Sequence, residues 1–168
     1  MFVQHRPAVV CWIPRQALHE CCSEATRYFP RETGGTFMGY WANGQEAVVT
    51  RLIGPGPLAV RERHSFEPDQ QWQLGEIARH YAASGRRDGY LGDWHSHPRA
   101  TNGHLSCTDR AVMAKIIRTP QARAPKPISM VLHGTGSRWD ASVWVASSRK
   151  CIFRARVAFE RAVVNLYD

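Results

Sequence analysis

The sequence predicts a single α/β (α+β) domain in which a β-sheet is flanked by helices. Its 168 residues are enough to bury one sizeable core but few for two independent domains, so we expect one domain over residues 1–168. Runs of β-branched residues alternate along the chain with segments of helical periodicity, the pattern of a sheet combined with helices. An Asn-Gly pair between two such runs indicates antiparallel pairing.

The N-terminal half is predicted to form a strand, a helix and a strand hairpin. The apolar, β-branched run at 8–13 predicts a strand, and apolar residues at helical spacing predict a helix over 15–29, which Pro30 ends. Two further strands, at 34–41 and 46–54, flank the Asn-Gly pair and are expected to pair with each other.

A long loop and the clearest helix follow. Residues 54–68 begin with turn residues and show little periodicity, so we expect a loop, and loops of this length are often functional. Residues 69–84 have the spacing of a helix that ends at Gly85, as a C-terminal cap would. The face that this helix turns to the core is predicted to carry Trp72, Ile77 and Tyr81.

The C-terminal half is predicted to add strands around one more helix. A short strand at 89–95 precedes a helix at 106–119. The inward residues of this helix are predicted to be Val112, Ile116 and Ile117. Strands at 127–134 and 140–148 alternate around turn residues, and the segment 153–168 fits a strand and a helix about equally well.

The composition is that of an ordinary folded protein. No apolar stretch approaches the roughly 18 residues that a membrane helix needs, and residues 1–7 lack the features of a signal peptide. We therefore expect no membrane partner and a cytoplasmic location. An odd number of cysteines without a C-x-x-C spacing fits neither a disulfide framework nor a zinc ribbon, so reduced and mostly buried thiols are expected at Cys11, Cys21, Cys22, Cys107 and Cys151.

The charge balance favours an acidic partner. The chain has 22 Lys+Arg against 14 Asp+Glu, a formal net charge of +8, which alone would also fit nucleic acid. The basic residues are scattered, and one segment is dense: Arg149, Lys150, Arg154, Arg156 and Arg161. Because we expect no exposed aromatic residues between them, we expect a solvated face and no nucleic-acid partner.

Two histidines lie on one side of the strand that Pro98 ends. In an extended segment, residues i and i+2 point to the same face, so His95 and His97 can direct two imidazoles at one point. The pattern alone is weak, since paired histidines also line surface strands. His104, in the following loop, could be a further ligand, but an exposed loop histidine is the simpler interpretation.

Ser106 and Asp109 are three residues apart at the start of a predicted helix. This spacing places both on one side of the first turn, and the loop from Pro98 to Leu105 brings that turn back to the strand end. Two neutral imidazoles and one carboxylate make a catalytic zinc set with one position left for water. By itself, however, Ser-x-x-Asp is typical of a helix capping box, and that interpretation stays open.

A carboxylate far upstream could act as the base in such a site. Glu32 stands just before the Gly34-Gly35 pair that opens a strand, at the end of an element and not in its middle. A lone glutamate in this position is most often solvent-exposed. A water activated by a metal nevertheless needs a nearby base, and a carboxylate can serve.

The sequence resembles the JAB/MPN family of JAMM zinc metalloproteases in three features taken together. These are Glu32, the His95-Ser96-His97-Pro98 run and Ser106-x-x-Asp109. The segments "PRETGG", "FEPDQQWQLGEIARHY" and "GYLGDWHSHP" are similar to regions of its bacterial members, and the elements follow the family's order. The sequence departs from the family pattern at one point. Eight residues separate the second histidine from the serine, where family members most often have seven.

The resemblance implies a JAB1/MPN-like fold with a cytidine-deaminase-like layout and a mixed β-sheet flanked by helices. It implies that His95, His97 and Asp109 bind Zn²⁺, that Glu32 transfers the proton and that Ser106 stabilises the oxyanion. The implied activity is that of an isopeptidase. Its substrate would be a protein with an extended C-terminal tail, either ubiquitin-like or a conjugated nucleotide cyclase. An E1/E2-like ligase is an implied partner, as in anti-phage conjugation systems.

Two other functions share parts of this pattern. A catalytically inactive MPN scaffold that binds an E1/E2-like partner would have the same fold, but such members usually lose ligands that are present here. A zinc nucleobase deaminase also uses a glutamate-assisted water, but its H-x-E and P-C-x-x-C signature is absent from the sequence.

Overall fold

A computed structural model of the protein describes residues 8–150 and 155–168. Along them the chain forms β1 (Val10–Pro14), α1 (Arg15–Tyr28), β2 (Gly34–Trp41), β3 (Glu46–Ile53), β4 (Val60–Arg61), β5 (Phe66–Glu67), α2 (Gln70–Ala83), β6 (Gly89–Pro98), α3 (Cys107–Arg118), β7 (Ile128–Gly134), β8 (Trp139–Lys150), β9 (Ala155–Arg161) and β10 (Val163–Tyr167). A short 3-10 turn at Pro120–Ala122 follows α3.

Eight of these strands form one mixed sheet, in the order β10-β1-β3-β2-β6-β7-β8-β9. Strand β1 is parallel to β3 and β10, and β6 is parallel to β7, while the other neighbours are antiparallel. Strands β4 and β5 form a separate hairpin. The predicted α/β (α+β) fold, a mixed sheet flanked by helices, is confirmed.

The sheet curls because its two outer strands are consecutive in the chain. Only Ala162 separates β9 from β10. The Ala162 N–H donates to the Val143 carbonyl of β8 at 2.9 Å, and the Val163 N–H donates to the Val9 carbonyl at 2.8 Å. The backbone therefore passes directly from one edge of the sheet to the other.

The two faces of the sheet pack against different helices. Helix α1 packs on the inner face through Ala17, Cys21 and Ala25, which join the main hydrophobic core. Helix α3 packs on the outer face, where a second core contains Leu105, Met113, Val131 and Ala146. Helix α2 lies on the same outer face, because its Gln73 carboxamide oxygen is 3.5 Å from the Thr36 hydroxyl of β2.

The predicted inward faces of α2 and α3 are wrong in one residue each. Tyr81 is 37% exposed, because polar contacts set the rotation of α2. Its Gln73 donates to the Gly54 carbonyl at 2.8 Å, and its His80 lies 3.1 Å from the Asp88 carboxylate. Val112 is 45% exposed because it lines a groove between the two helices, and Met113 is the buried residue of α3 instead.

Other predictions are corrected or stay open. The expected loop at 54–68 contains the hairpin β4–β5. Cys107 was expected to be buried but is exposed, because it is the first residue of α3 at the protein surface. The C-terminal segment forms two strands. Cys151, Arg154 and residues 1–7 lie outside the described residues. None of the described helices combines the length and the apolar composition of a membrane-spanning segment.

A bulge in β6 fixes which of its residues face outward. Gly92 pairs with Phe37 of β2 and Tyr90 pairs with Met38, so Leu91 is an additional residue in β6. Gly92 has a φ of +150°, and a β-carbon there would lie 1.9 Å from the Ile128 carbonyl oxygen of β7. Because of the bulge, the Leu91 side chain joins the inner core. In the residues of β6 after the bulge, the inward and outward positions are exchanged relative to a regular strand.

We expect Gly92→Ala to lower the free energy of unfolding by about 3 kcal/mol or more, since the new β-carbon would overlap the backbone of β7. Urea denaturation measures this loss. Gly89→Ala is the matched control, because a β-carbon at Gly89 in the same strand would meet nothing within 4 Å. Equal stability of the two variants would contradict the role assigned to the bulge.

Candidate metal centre

The end of β6 presents its two histidines on the outer face of the sheet. Gly34 of β2 pairs with His95, and beyond this pair the strands are joined through Thr33 and Ser96. The Ser96 N–H donates to the Thr33 carbonyl at 2.8 Å, and the Thr33 N–H donates to the Ser96 hydroxyl oxygen at 3.0 Å. Both linking residues are fully buried, so β6 is held up to the point where its histidines project.

Donor atoms of three residues converge at this strand end. The Nε2 atoms of His95 and His97 are 3.0 Å apart, Asp109 Oδ1 lies 3.2 Å from the His95 nitrogen, and Asp109 Oδ2 lies 3.7 Å from the His97 nitrogen. Among the described residues, these three form the one group of histidine, cysteine or acidic side chains with the spacing to bind a metal ion. His104 is outside this group and lies instead against the Trp144 ring.

The capping-box interpretation of Ser106-x-x-Asp109 is confirmed, and the metal-ligand interpretation stays a prediction. The Ser106 oxygen accepts the Asp109 N–H at 3.1 Å, and Asp109 Oδ2 accepts the Ser106 N–H at 2.7 Å, which makes a reciprocal capping box at the start of α3. The other carboxylate oxygen, Oδ1, remains directed at His95. The Ser106 oxygen accepts the Asp109 N–H through a lone pair, so the Ser106 O–H can still donate toward the groove.

The loop that returns the chain to α3 is fixed along its length. The Arg99 N–H donates to the Gly134 carbonyl at 2.6 Å, and Arg99 has a left-handed φ of +69°. Further along, the Trp144 indole donates to the Gly103 carbonyl at 2.8 Å, and Leu105 is buried in the outer core. The eight-residue loop therefore turns back on the sheet, and Asp109 reaches the histidines.

Glu32 lies across the strand pair from the histidines. Extending the β2–β6 register by two residues from the Gly34–His95 pair brings Glu32 opposite His97, on the same face of the sheet. Its N–H donates to the Glu62 carbonyl at 2.7 Å, and its side chain lines the same groove as the three donors. Burial raises the pKa of Glu32, with an opposing effect from His95 and a further increase from Asp109.

The protonation states of the cluster suit metal binding. Burial lowers the pKa of His97 and the neighbouring His95 lowers it further, which favours the neutral imidazole that binds metals. Burial alone would raise the pKa of Asp109, but its hydrogen bond to His95, the charge of His95 and the Ser106 bonds hold it well below its usual range. The carboxylate is therefore ionised at neutral pH.

A groove runs from this cluster between the hairpin β4–β5 and the helices α2 and α3. The start of β2 and residues 63–68 of the expected loop line it, together with residues of α2 and α3. Apolar side chains flank the groove at Leu74, Ile77, Val112 and Ile116. The Asp93 carboxylate lies in its floor, where it accepts from Tyr90 at 2.9 Å and from Thr36 at 3.1 Å.

The sequence reasoning missed Thr33 and Ser96, which lock the two site strands together. One signal was available for Ser96. It stands between two histidines that share one face of a strand, so its side chain must point to the opposite, inner face. Its partner could not be identified, because Thr33 is 63 residues away along the chain.

Comparison with known proteins gives consistent matches. The family described as prokaryotic homologs of the JAB domain matches residues 14–147. A protein of Sinorhizobium fredii named "Probable metalloprotease y4qB" is 43% identical over 157 residues, which cover 93% of this chain and 96% of that protein. An Escherichia coli protein named "CD-NTase/cGAS isopeptidase" is 34% identical over 73 residues, covering 44% of this chain and 46% of that protein.

The fold is also similar to a solved structure. The solution structure of protein DSY2949 from Desulfitobacterium hafniense superimposes with a TM-score of 0.66 over 95% of this chain and 94% of that one. The two sequences are 16% identical, so the likeness concerns the fold alone.

We expect Ser96→Ala to lower the free energy of unfolding by about 1–3 kcal/mol, because it leaves the buried Thr33 N–H without its acceptor. Urea denaturation measures the change. Ser148→Ala, at an exposed position of β8, is the control and should stay within about 0.5 kcal/mol of the wild type. If Ser96→Ala were as stable as this control, the link between Thr33 and Ser96 would contribute nothing.

Proposed function

The chain belongs to the family of prokaryotic homologs of the JAB domain, and on this basis we propose that it is a zinc-dependent isopeptidase. The proposed reaction hydrolyses the amide that joins the C-terminal tail of a ubiquitin-like protein, or of a conjugated nucleotide cyclase, to its target. The observation that carries the proposal is the convergence of His95, His97 and Asp109 in the groove that Glu32 also lines.

The spacing of the three donor atoms fits zinc. In a tetrahedral site with bonds of about 2.0–2.1 Å, ligand atoms lie about 3.3 Å from one another. Here the two Nε2 atoms are 3.0 Å apart, Asp109 Oδ1 is 3.2 Å from His95 Nε2, and the other carboxylate oxygen, Oδ2, is 3.7 Å from His97 Nε2. His95, His97 and Asp109 would therefore hold the ion, a set of three protein ligands typical of catalytic sites. When bound, zinc supplies Lewis acidity, which polarises the scissile carbonyl and acidifies the attacking water.

Glu32 and Ser106 supply the remaining chemistry. Glu32 accepts the proton of the attacking water and then delivers it to the leaving lysine amine, so one carboxylate acts first as base and then as acid. Its half-buried position and raised pKa suit both roles. The Ser106 hydroxyl donates to the carbonyl oxygen as negative charge develops there. With donors and base in one groove, an inactive scaffold is not favoured.

The groove supports an extended protein tail as the substrate. Gly34 lies opposite His95, and a β-carbon there would be 2.9 Å from the Phe66 ring, so the site is crowded where the scissile bond would lie. A tail with small terminal residues could approach the cluster through its backbone. The similarity to a protein named CD-NTase/cGAS isopeptidase supports a conjugated protein as the substrate class. An E1/E2-like ligase would then be the source of the conjugate.

We expect the purified protein to hold one zinc ion per chain and His95→Ala to lose most of it, because the variant removes one of three ligands. Elemental analysis measures the content, and circular dichroism checks the fold. His104→Ala is the matched control, since this exposed histidine lies outside the cluster. Full zinc content in His95→Ala, or a folded wild type without metal, would refute the assignment.

Glu32→Gln should keep its zinc and its fold but lose hydrolysis by about 10²–10⁴-fold, because the amide cannot transfer the proton. The assay follows release of the target from a tail-to-lysine conjugate whose tail ends in small residues. Glu20→Gln, an exposed glutamate of α1, is the control and should cleave at the wild-type rate.

Two outcomes of this assay would contradict the proposal. Loss of zinc in Glu32→Gln would make Glu32 a ligand and place the base elsewhere. Equal cleavage of a conjugate in which bulky residues replace the final small ones would refute the extended, small-residue tail as the substrate.

A further inference from the structure

The side chain of Arg61, in the hairpin strand β4, makes four contacts behind the groove. Its guanidinium carbon lies 3.9 Å from the centre of the Tyr28 ring, and its Nη2 is 3.1 Å from the Glu24 carboxylate. Its Nε donates to the Thr33 hydroxyl at 3.2 Å, and Nη1 donates to the Ala59 carbonyl at 3.3 Å. The Arg61 side chain is only 13% exposed, so these contacts are largely shielded from water.

One bonded partner of Arg61 and one of its chain neighbours connect it to Glu32. Thr33 follows Glu32 in the chain, and its hydroxyl also donates to Glu24 at 3.2 Å, which closes a triangle with Arg61. Glu62 follows Arg61, and its carbonyl accepts the Glu32 N–H at 2.7 Å. The backbone of Glu32 is therefore held on both sides by residues that Arg61 anchors.

The position of Glu32 makes this support necessary. Glu32 lies two residues before the start of β2 and beyond the bonds between Thr33 and Ser96, so the hydrogen bonds of the sheet do not extend to it. A residue outside the ladder is free to fray unless other contacts hold it. Helix α1 provides the rigid base here, because Glu24 and Tyr28 are one turn apart on the side that faces Arg61.

We propose that Arg61 is a positioning residue that holds Glu32 at the reaction centre. The inference rests on the proposed function for the role of Glu32, while the contacts of Arg61 are independent of it. Arg61 acts through Thr33 and Glu62 and takes no part in the chemistry. Arginine is required because a planar guanidinium can stack on a ring and donate in several directions at once, whereas a lysine ammonium cannot.

Arg61→Lys tests this role, with hydrogen exchange of the purified full-length chain in the absence of substrate as the first measurement. Amide exchange in the peptide that contains Glu32 and Thr33 should accelerate by at least about tenfold, while peptides of α1 and α2 keep their wild-type rates. Arg79→Lys is the matched control, because Arg79 also pairs with a glutamate, Glu76, but is 70% exposed on α2.

Steady-state kinetics on the conjugate provide the second measurement. In Arg61→Lys with unchanged zinc content, kcat should fall about tenfold while KM stays within about twofold, because a misplaced base slows the chemical step and not binding. When Arg61→Lys is combined with Glu32→Gln, kcat should be no lower than in Glu32→Gln alone. Glu24→Gln should reproduce both effects in a milder form, which provides a second variant if Arg61→Lys does not fold.

Unchanged exchange at Glu32 and Thr33 would overturn the inference, whatever the activity. So would equal acceleration along α1, which would indicate general loosening, or a rise in KM with an unaltered kcat, which would make Arg61 a binding residue. If the wild type cleaves no conjugate but exchange still depends on Arg61, the proposed function fails and the positioning of the Glu32 backbone stands.

Discussion

The pairing between the start of β2 and the end of β6 is the constraint on which the candidate site depends. It sets Gly34 against His95 and carries Glu32 to the position opposite His97. Side chains alternate along a strand, so a slip of one residue would turn the histidines into the inner core. The reciprocal bonds between Thr33 and Ser96, both fully buried, oppose such a slip at the point where the regular ladder ends.

Helix α3 completes the cluster with a residue that already has a structural role. One oxygen of Asp109 accepts the Ser106 N–H in the capping box, which fixes the carboxylate and leaves its other oxygen for His95. The positive end of the helix dipole also favours an anion in this first turn. The geometry of the cluster is thus set by the same contacts that start the helix, which would leave little freedom to be lost on binding of a metal.

The curled sheet explains why an open groove lies on its outer face. The inner face wraps around α1 and forms the main core. On the outer face, α2 and α3 are separated, so that apolar side chains such as Leu74 and Val112 remain exposed along the groove. The hairpin β4–β5 closes one side of this groove and is attached to α1 through Arg61. The contacts of Arg61 therefore link the groove on the outer face to α1 on the inner face, close to Glu32.

The sequence by itself determined the features that local chain geometry fixes. The i, i+2 spacing placed His95 and His97 on one face, and the Ser106-x-x-Asp109 spacing placed two polar residues in one helical turn, because these periods belong to the backbone. The Asn-Gly pair likewise indicated the β2–β3 hairpin correctly. The family resemblance added Glu32, which no local period connects to the histidines.

Only the tertiary structure decided the features that join distant segments. The bulge at Gly92 reversed the alternation of β6, and the C-terminal segment became strands because it closes the sheet between β8 and β1. Arg61 gave no sequence signal, since its Glu24 partner is 37 residues away. The physical reason is common to these cases. Hydrogen bonding and burial between segments far apart in the chain outweigh local preference, and no short pattern encodes which segments will meet.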